Sequence, residues 1–213
     1  MLSFDQFLSE SVGQQGGFNV IYETGMHTLT NDLEQIIKAL RDAGVLFEVV
    51  GGVAVNAHIY SLHRSRSFVT RDIDLLVRRH DLPRVAEAAQ PLGYIAKKMV
   101  GGYTLIRPGQ DLAEAIHLLF VGEKSKSTQP LPHPELHPEE KHLLNLSVPV
   151  APLKDLLQMK LSSLRPKDLI HIETLDDVGL ITPALERHLS PVLQERLKEA
   201  RKTIAENKPD VEG

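Results

Sequence analysis

Two glycines and two aspartates carry the most pointed chemistry in this chain: Gly51-Gly52, and twenty residues later Asp72-Ile73-Asp74. A Gly-Gly pair between an apolar stretch and a helix lets the backbone approach a ligand closely. It also presents the free N–H groups of a helix N-terminus, which favour phosphate. Two aspartates at i and i+2 on a strand point to the same face. Their like charges are costly side by side unless a cation lies between them. Hard carboxylate oxygens at that spacing suit Mg²⁺ carrying nucleotide phosphates. Arg64, Arg66 and Arg71 lie between the two elements and could neutralise phosphate charge through bidentate contacts.

The elements that must position these residues follow from periodicity. Residues 1–27 are expected to form a weakly structured lead-in, broken by Gln14-Gln15-Gly16-Gly17. A helix is expected from about Thr30, because Leu33, Ile36, Ile37 and Leu40 recur at helical spacing and Gly44 sits at a C-terminal cap position. Residues 45–52 read as a buried strand, 53–62 as a helix and 72–77 as a second strand. A helix over 81–90 and strands over 94–100, 103–107 and 113–120 follow. Residues 122–141 hold Pro130, Pro132, Pro134 and Pro138 and read as a long surface loop. Those prolines deny His133, His137 and His142 the regular helix on which they would share a zinc ion. The spacing predicts helices over 153–164, 166–179 and 183–206, the last with a packing stripe of Leu185, Leu189, Leu193 and Leu197. His58 and the run Arg78-Arg79-His80 are expected to have packing and solvated roles. The order implies an α/β or α+β core over 28–150 and a helical C-terminal region over 151–213.

Composition bounds the function. A length of 213 residues with 42% hydrophobic and 24% charged residues is that of a globular protein with one medium core. A net charge of -4 argues against a general nucleic-acid coat, while leaving room for a local basic groove. Absence of Trp and 5% aromatics argue against base stacking on an aromatic platform. With no Cys there is no disulfide framework, Cys-based zinc site or thiol nucleophile, in keeping with a reducing cytoplasm. No apolar run reaches the roughly 20 residues of a membrane span. The N-terminus lacks the pattern of a signal peptide. A cytoplasmic protein with no membrane partner is expected.

The run VVGGVAVNAH…TRDIDLLV resembles the signature of the nucleotidyltransferase superfamily, with a glycine pair opening a helix and Asp-x-Asp on the next strand. LKDLLQMKLSSLRPKDLIHIETL is similar to the C-terminal motifs of AbiEii-type toxins and related minimal nucleotidyltransferases. The likeness spans about residues 30–180. It implies a mixed sheet flanked by helices, with the nucleotide in the cleft against the helical region. It implies transfer of a nucleotidyl group from an NTP to an acceptor that is a small molecule, a tRNA or a protein. Gly51 and Gly52 would then hold the triphosphate, and Asp72 and Asp74 would bind Mg²⁺, or Mn²⁺. Lys160 would complete the site from the helical part, with Arg165 and Lys167 at the phosphates. Asp168 would anchor Lys160 or Arg165, or act at the acceptor. The toxin likeness further implies a cognate antitoxin as a partner. A homodimer is the other expectation for assembly.

Three departures from the superfamily pattern stand out. Gly52 replaces a common Ser or Thr, removing a hydroxyl but keeping the backbone cradle. His117 stands on the strand where a third carboxylate is usual, with Glu114 three residues away at opposite parity. Imidazole is a poor ligand for Mg²⁺ and acceptable to Mn²⁺ or Zn²⁺, and it can take a proton from an acceptor hydroxyl. His171 stands where relatives repeat an acid. A catalytically degenerate nucleotide-binding or regulatory module is one rival expectation, and the toxin component of a toxin–antitoxin pair, implied by the resemblance alone, is the other.

Overall fold

The computed structural model describes residues 17–62 and 70–207, with side chains from residue 29 onward. Helix α1 (Gly17–Asp42) buries Leu33, Ile36, Ile37 and Leu40, each at most 2% exposed. The chain then reverses at Gly44, whose φ of 63° lies in the left-handed region that glycine tolerates best. The N–H of Val45 closes that cap on Leu40 O at 3.0 Å. The helix starts at Gly17, so it takes in residues 17–27 of the expected lead-in; residues 1–16 lie outside the described residues.

Strand β1 (Phe47–Val50) runs straight into helix α2 (Gly51–Tyr60), and β2 (Ile73–Val77) returns antiparallel beside β1. Helix α3 (Leu82–Ala89) leads to β3 (Ile95–Met99), β4 (Gly102–Ile106) and β5 (Ile116–Phe120). Residues 113 and 114, expected in the last of these strands, instead belong to a short 3-10 turn (Leu112–Glu114), because Asp111 caps it by accepting the Ala113 N–H at 3.0 Å. A hairpin of β6 (Glu139–Leu143) and β7 (Leu146–Val150) then completes one mixed sheet. Among the described residues the strand order is β3-β4-β5-β2-β1-β7-β6. β5 lies parallel to β2, and β7 parallel to β1.

Two departures from expectation have local causes. The proline-rich segment holds Leu136, Gln129 and His133 buried, and its last residues enter β6. The β6 sequence EEKHL lacks apolar alternation, and β7 contains Pro149, so neither signals a strand by itself. The final helix is divided into α6 (Pro183–Arg187) and α7 (Pro191–Asn207). Pro191 cannot continue a helix from residues before it but suits the first position of a new one. Helices α4 (Leu153–Ser163) and α5 (Pro166–Asp177) precede them, and α4 packs on α5 and α7. Among the described residues, no helix is long and apolar enough to cross a membrane.

Candidate active site

The site begins with register. Asp74 is the Cα partner of Val50 on β1 and of His117 on β5, and His117 is the partner of Thr104 on β4. Directly opposed residues share a face. Val50, Asp74, His117 and Thr104 therefore form one row across four strands. His117 Nδ1 lies 3.3 Å from Thr104 Oγ1, which leaves Nε2 as the nitrogen able to take a proton or a metal.

Gly51 abuts this row. Its φ is +68°, and a Cβ there would stand 2.0 Å from Asp74 Oδ2. The carboxylate thus occupies space that any other side chain would fill. Val50, the residue before α2, supplies no side-chain cap. The first-turn N–H groups of α2 consequently point outward without that common partner, the arrangement that suits an anion. Gly52 lies buried in that first turn.

The C-terminal helices bring positive charge to the carboxylates. Lys167 Nζ on α5 sits 3.0 Å from Asp72 Oδ2, and Thr70 Oγ1 donates to Asp72 Oδ1 at 2.9 Å. Burial pushes Asp72 up, but the Lys167 ammonium and the Thr70 hydroxyl outweigh it and hold the carboxyl below its usual range. Asp74 is raised instead, by burial first and by the negative charge of Asp72 second. Two neighbouring carboxylates pushed apart in this way are what a shared cation would relieve.

Lys160 and Asp168 form a buried pair at 3.3 Å, with side chains 4% and 0% exposed. Burial lowers Lys160, and the charges of Asp168 and Asp74 oppose that shift. Asp168 is the more heavily bonded partner. Its Oδ2 accepts from Ser163 Oγ at 2.5 Å, from Arg165 Nε at 2.9 Å and from the Arg165 N–H at 3.0 Å. Despite its burial, these donors and Lys160 hold it well below the carboxylate range. The local sequence makes this corner. Leu164 adopts φ 44° to end α4, and Pro166 opens α5 so that Asp168 at its third position can reach back to the Arg165 N–H. His171, one turn on, is pushed down to about 3 by burial and by Lys160, so it is a neutral imidazole.

A cleft of about 110 Å³ lies between these groups, bordered by Gly51 and Asp74, by Lys160 and Asp168, and by Ser125 and Gln129 from the proline-rich segment. That is room for one ring system or phosphate group, well under the ~300–1,000 Å³ of a complete small-molecule site. Of the residues singled out from the sequence, Gly51, Asp74, Lys160, Arg165 and Asp168 line it. Asp72 and Lys167 meet each other and His117 stands beside Asp74, but these three are not among its lining residues. Arg71 is exposed and is not among the lining residues. Arg64 and Arg66 lie outside the described residues. Among the described residues, no group of three or more acids and histidines is placed to hold a metal ion.

Sequence patterns missed Ser125, Lys126 and Gln129, which line the cleft from a segment that reads as surface loop; His133, weighed from the sequence only as a zinc ligand, lines it with them. Nothing in their types marked them, since their positions follow from how the loop folds back on β5. Other candidates have structural roles. His58 Nε2 meets Ala151 O at 2.9 Å, and Arg79 pairs with Glu123 while lying 3.4 Å over the Phe120 ring.

The profile of a family described as uncharacterised nucleotidyltransferases matches residues 22–165. No curated protein matches the chain. Three solved structures share distant similarity. The solution structure of the antibiotic-resistance factor ANT(2'')-Ia is 15% identical, covers 86% of each chain and has a TM-score of 0.43. Its crystal structure with adenylyl-2''-tobramycin is 14% identical, covers 84% of this chain and 91% of that one, and scores 0.45. An antigenic nucleotidyltransferase-like protein from Paracoccidioides brasiliensis is 15% identical, covers 86% and 89%, and scores 0.46.

Proposed function

The chain belongs to a family of uncharacterised nucleotidyltransferases, and on that premise we propose that it transfers a nucleotidyl group from an NTP to a hydroxyl-bearing small molecule, tRNA or protein. The observation that carries this is the seating of the Asp74 carboxylate against Gly51, at the uncapped start of α2, with Asp72 two residues away. Helix start and acid pair are thereby held as one phosphate and cation site.

The residues present fit a divalent cation of the Mg²⁺ or Mn²⁺ kind. Asp72 and Asp74 would hold it, and their mutual repulsion is the strain it would relieve. When bound, such an ion neutralises charge on the phosphates and on the leaving group. The acceptor hydroxyl oxygen attacks the α-phosphorus, the bond to the bridging oxygen breaks and pyrophosphate leaves. His117 Nε2 takes the hydroxyl proton. Lys167 lies where it can follow a phosphate oxygen when Asp72 turns to the cation. Lys160 keeps positive charge beside Asp74, and Asp168 holds Lys160 and Arg165 in place.

Purified protein given NTP labelled at the α-phosphate should move label to an acceptor in a small-molecule, tRNA or protein fraction. The Asp72→Asn/Asp74→Asn protein should fold and move none. Equal transfer by both proteins overturns the assignment. A second function, a nucleotide-binding module without turnover, draws on the ammonium of Lys167 standing on Asp72 and on imidazole in place of a third acid. Metal-dependent NTP binding without any labelled product would favour it.

A further inference from the structure

We propose that the cleft wall formed by Ser125 and Gln129 reads the nucleobase of the NTP, so that the proline-rich segment sets which nucleotide is used. This rests on the nucleotidyl transfer proposed above and concerns the same cleft. His133, 7% exposed, fixes the wall. Its Nδ1 lies 3.0 Å from Phe120 O, and its Nε2 lies 3.2 Å from Ser125 Oγ. A carbonyl can only accept, so Nδ1 carries the hydrogen, and in the neutral ring Nε2 can only accept. Ser125 must therefore donate its hydroxyl hydrogen to His133, and its oxygen faces any ligand as an acceptor. Burial pushes His133 down, which keeps the ring neutral.

Gln129 is the complementary half. It is 8% exposed, and its Oε1 accepts the Lys126 N–H at 3.2 Å. With the carbonyl end held by the backbone, the amide NH₂ is what it offers as a donor. The wall thus pairs one acceptor with one donor. Leu119, Leu156 and Met159 add apolar surface around the same space. A flat heterocycle with donor and acceptor on one edge matches this chemistry, and a volume of about 110 Å³ holds one such ring system. Asp74 and Gly51 border the same cleft, so a base here leaves the phosphates toward the glycine pair.

Calorimetric titration with the four NTPs and with inorganic tripolyphosphate, all with Mn²⁺, tests it on the wild type, Gln129→Glu and Ser125→Ala. Gln129→Glu keeps the oxygen that accepts the Lys126 N–H and removes the donor. Ser125→Ala keeps the His133–Phe120 bond and removes the acceptor. The wild type should favour one or two bases. Each variant should weaken the favoured NTP about tenfold more than it weakens tripolyphosphate, one hydrogen bond's worth, because the charge added by Gln129→Glu repels both polyphosphates alike. Unaltered base preference in both variants overturns the inference and leaves the transferase site standing. So does a wild type that binds all four NTPs no better than tripolyphosphate. If neither NTP nor tripolyphosphate binds the wild type, the nucleotide site itself fails, and the inference with it.

Discussion

Asp74 Oδ2 occupies the position a Gly51 side chain would need, with only 2.0 Å between the carboxylate oxygen and a Cβ built on that glycine. The strand that carries the acid and the turn that opens the helix are therefore matched pieces, and neither can change alone.

Gly51→Ala tests this match. The added methyl displaces Asp74, and φ +68° is unfavourable for any L side chain. Stability should fall by about 1–3 kcal/mol in urea unfolding. Metal-dependent NTP binding should be lost together with it. Binding retained at wild-type strength would mean that the carboxylate does not depend on the glycine.

On the proposed function, the row Asp74–His117–Thr104 should set metal preference. His117→Asp places a third hard oxygen donor beside Asp74. The ratio of activity with Mg²⁺ to activity with Mn²⁺ should rise by about tenfold or more. An unchanged ratio, measured at saturating metal, would remove His117 from the cation's surroundings.

The Lys160–Asp168 pair should be costly to break from one side. Asp168→Asn leaves a buried ammonium without its ion-pair partner, with Asp74 remaining near it, and should cost about 3–5 kcal/mol. Adding Lys160→Met should recover part of that loss, a coupling that a double-mutant cycle measures. Strict additivity of the two changes would show that the pair does not act as a unit.

Glu48 predicts a pH dependence away from the cleft. It is fully buried on β1, one oxygen accepts the His137 N–H and the other has no hydrogen-bond partner among the described residues. Burial pushes it up to about 7, with the charges of Asp155 and Glu139 adding to the rise and His137 opposing it. The folded chain thus binds this proton more tightly than the unfolded chain, whose Glu titrates near 4.5. The stabilisation is complete below pH 4.5 and is lost as pH rises through 7. Glu48→Gln removes that loss. Relative to wild type it should gain up to roughly 3 kcal/mol between pH 4.5 and 8, by urea unfolding at each pH. A constant difference across that range would contradict the assignment.

Much of this was legible in the sequence because it is local. The stripe Leu33, Ile36, Ile37 and Leu40, the reversal at Gly44 and the alternation of residues 73–77 are set by short-range periodicity and backbone freedom. Gly51 and Asp74 were recognisable because residue type and spacing mark them, and Lys160, Arg165 and Asp168 because their segment resembles nucleotidyltransferase motifs. The tertiary structure decided the rest. The hairpin of β6 and β7 gives a weak strand signal, with a polar β6 and Pro149 in β7, and β7 joins it to the sheet by pairing with β1. Ser125, Gln129 and His133 reach the cleft only because their loop folds back on β5. Whether Lys167 meets Asp72, 95 positions earlier, depends on where α5 docks. Such contacts are fixed by packing between distant segments, and neither residue type nor short-range spacing encodes that distance.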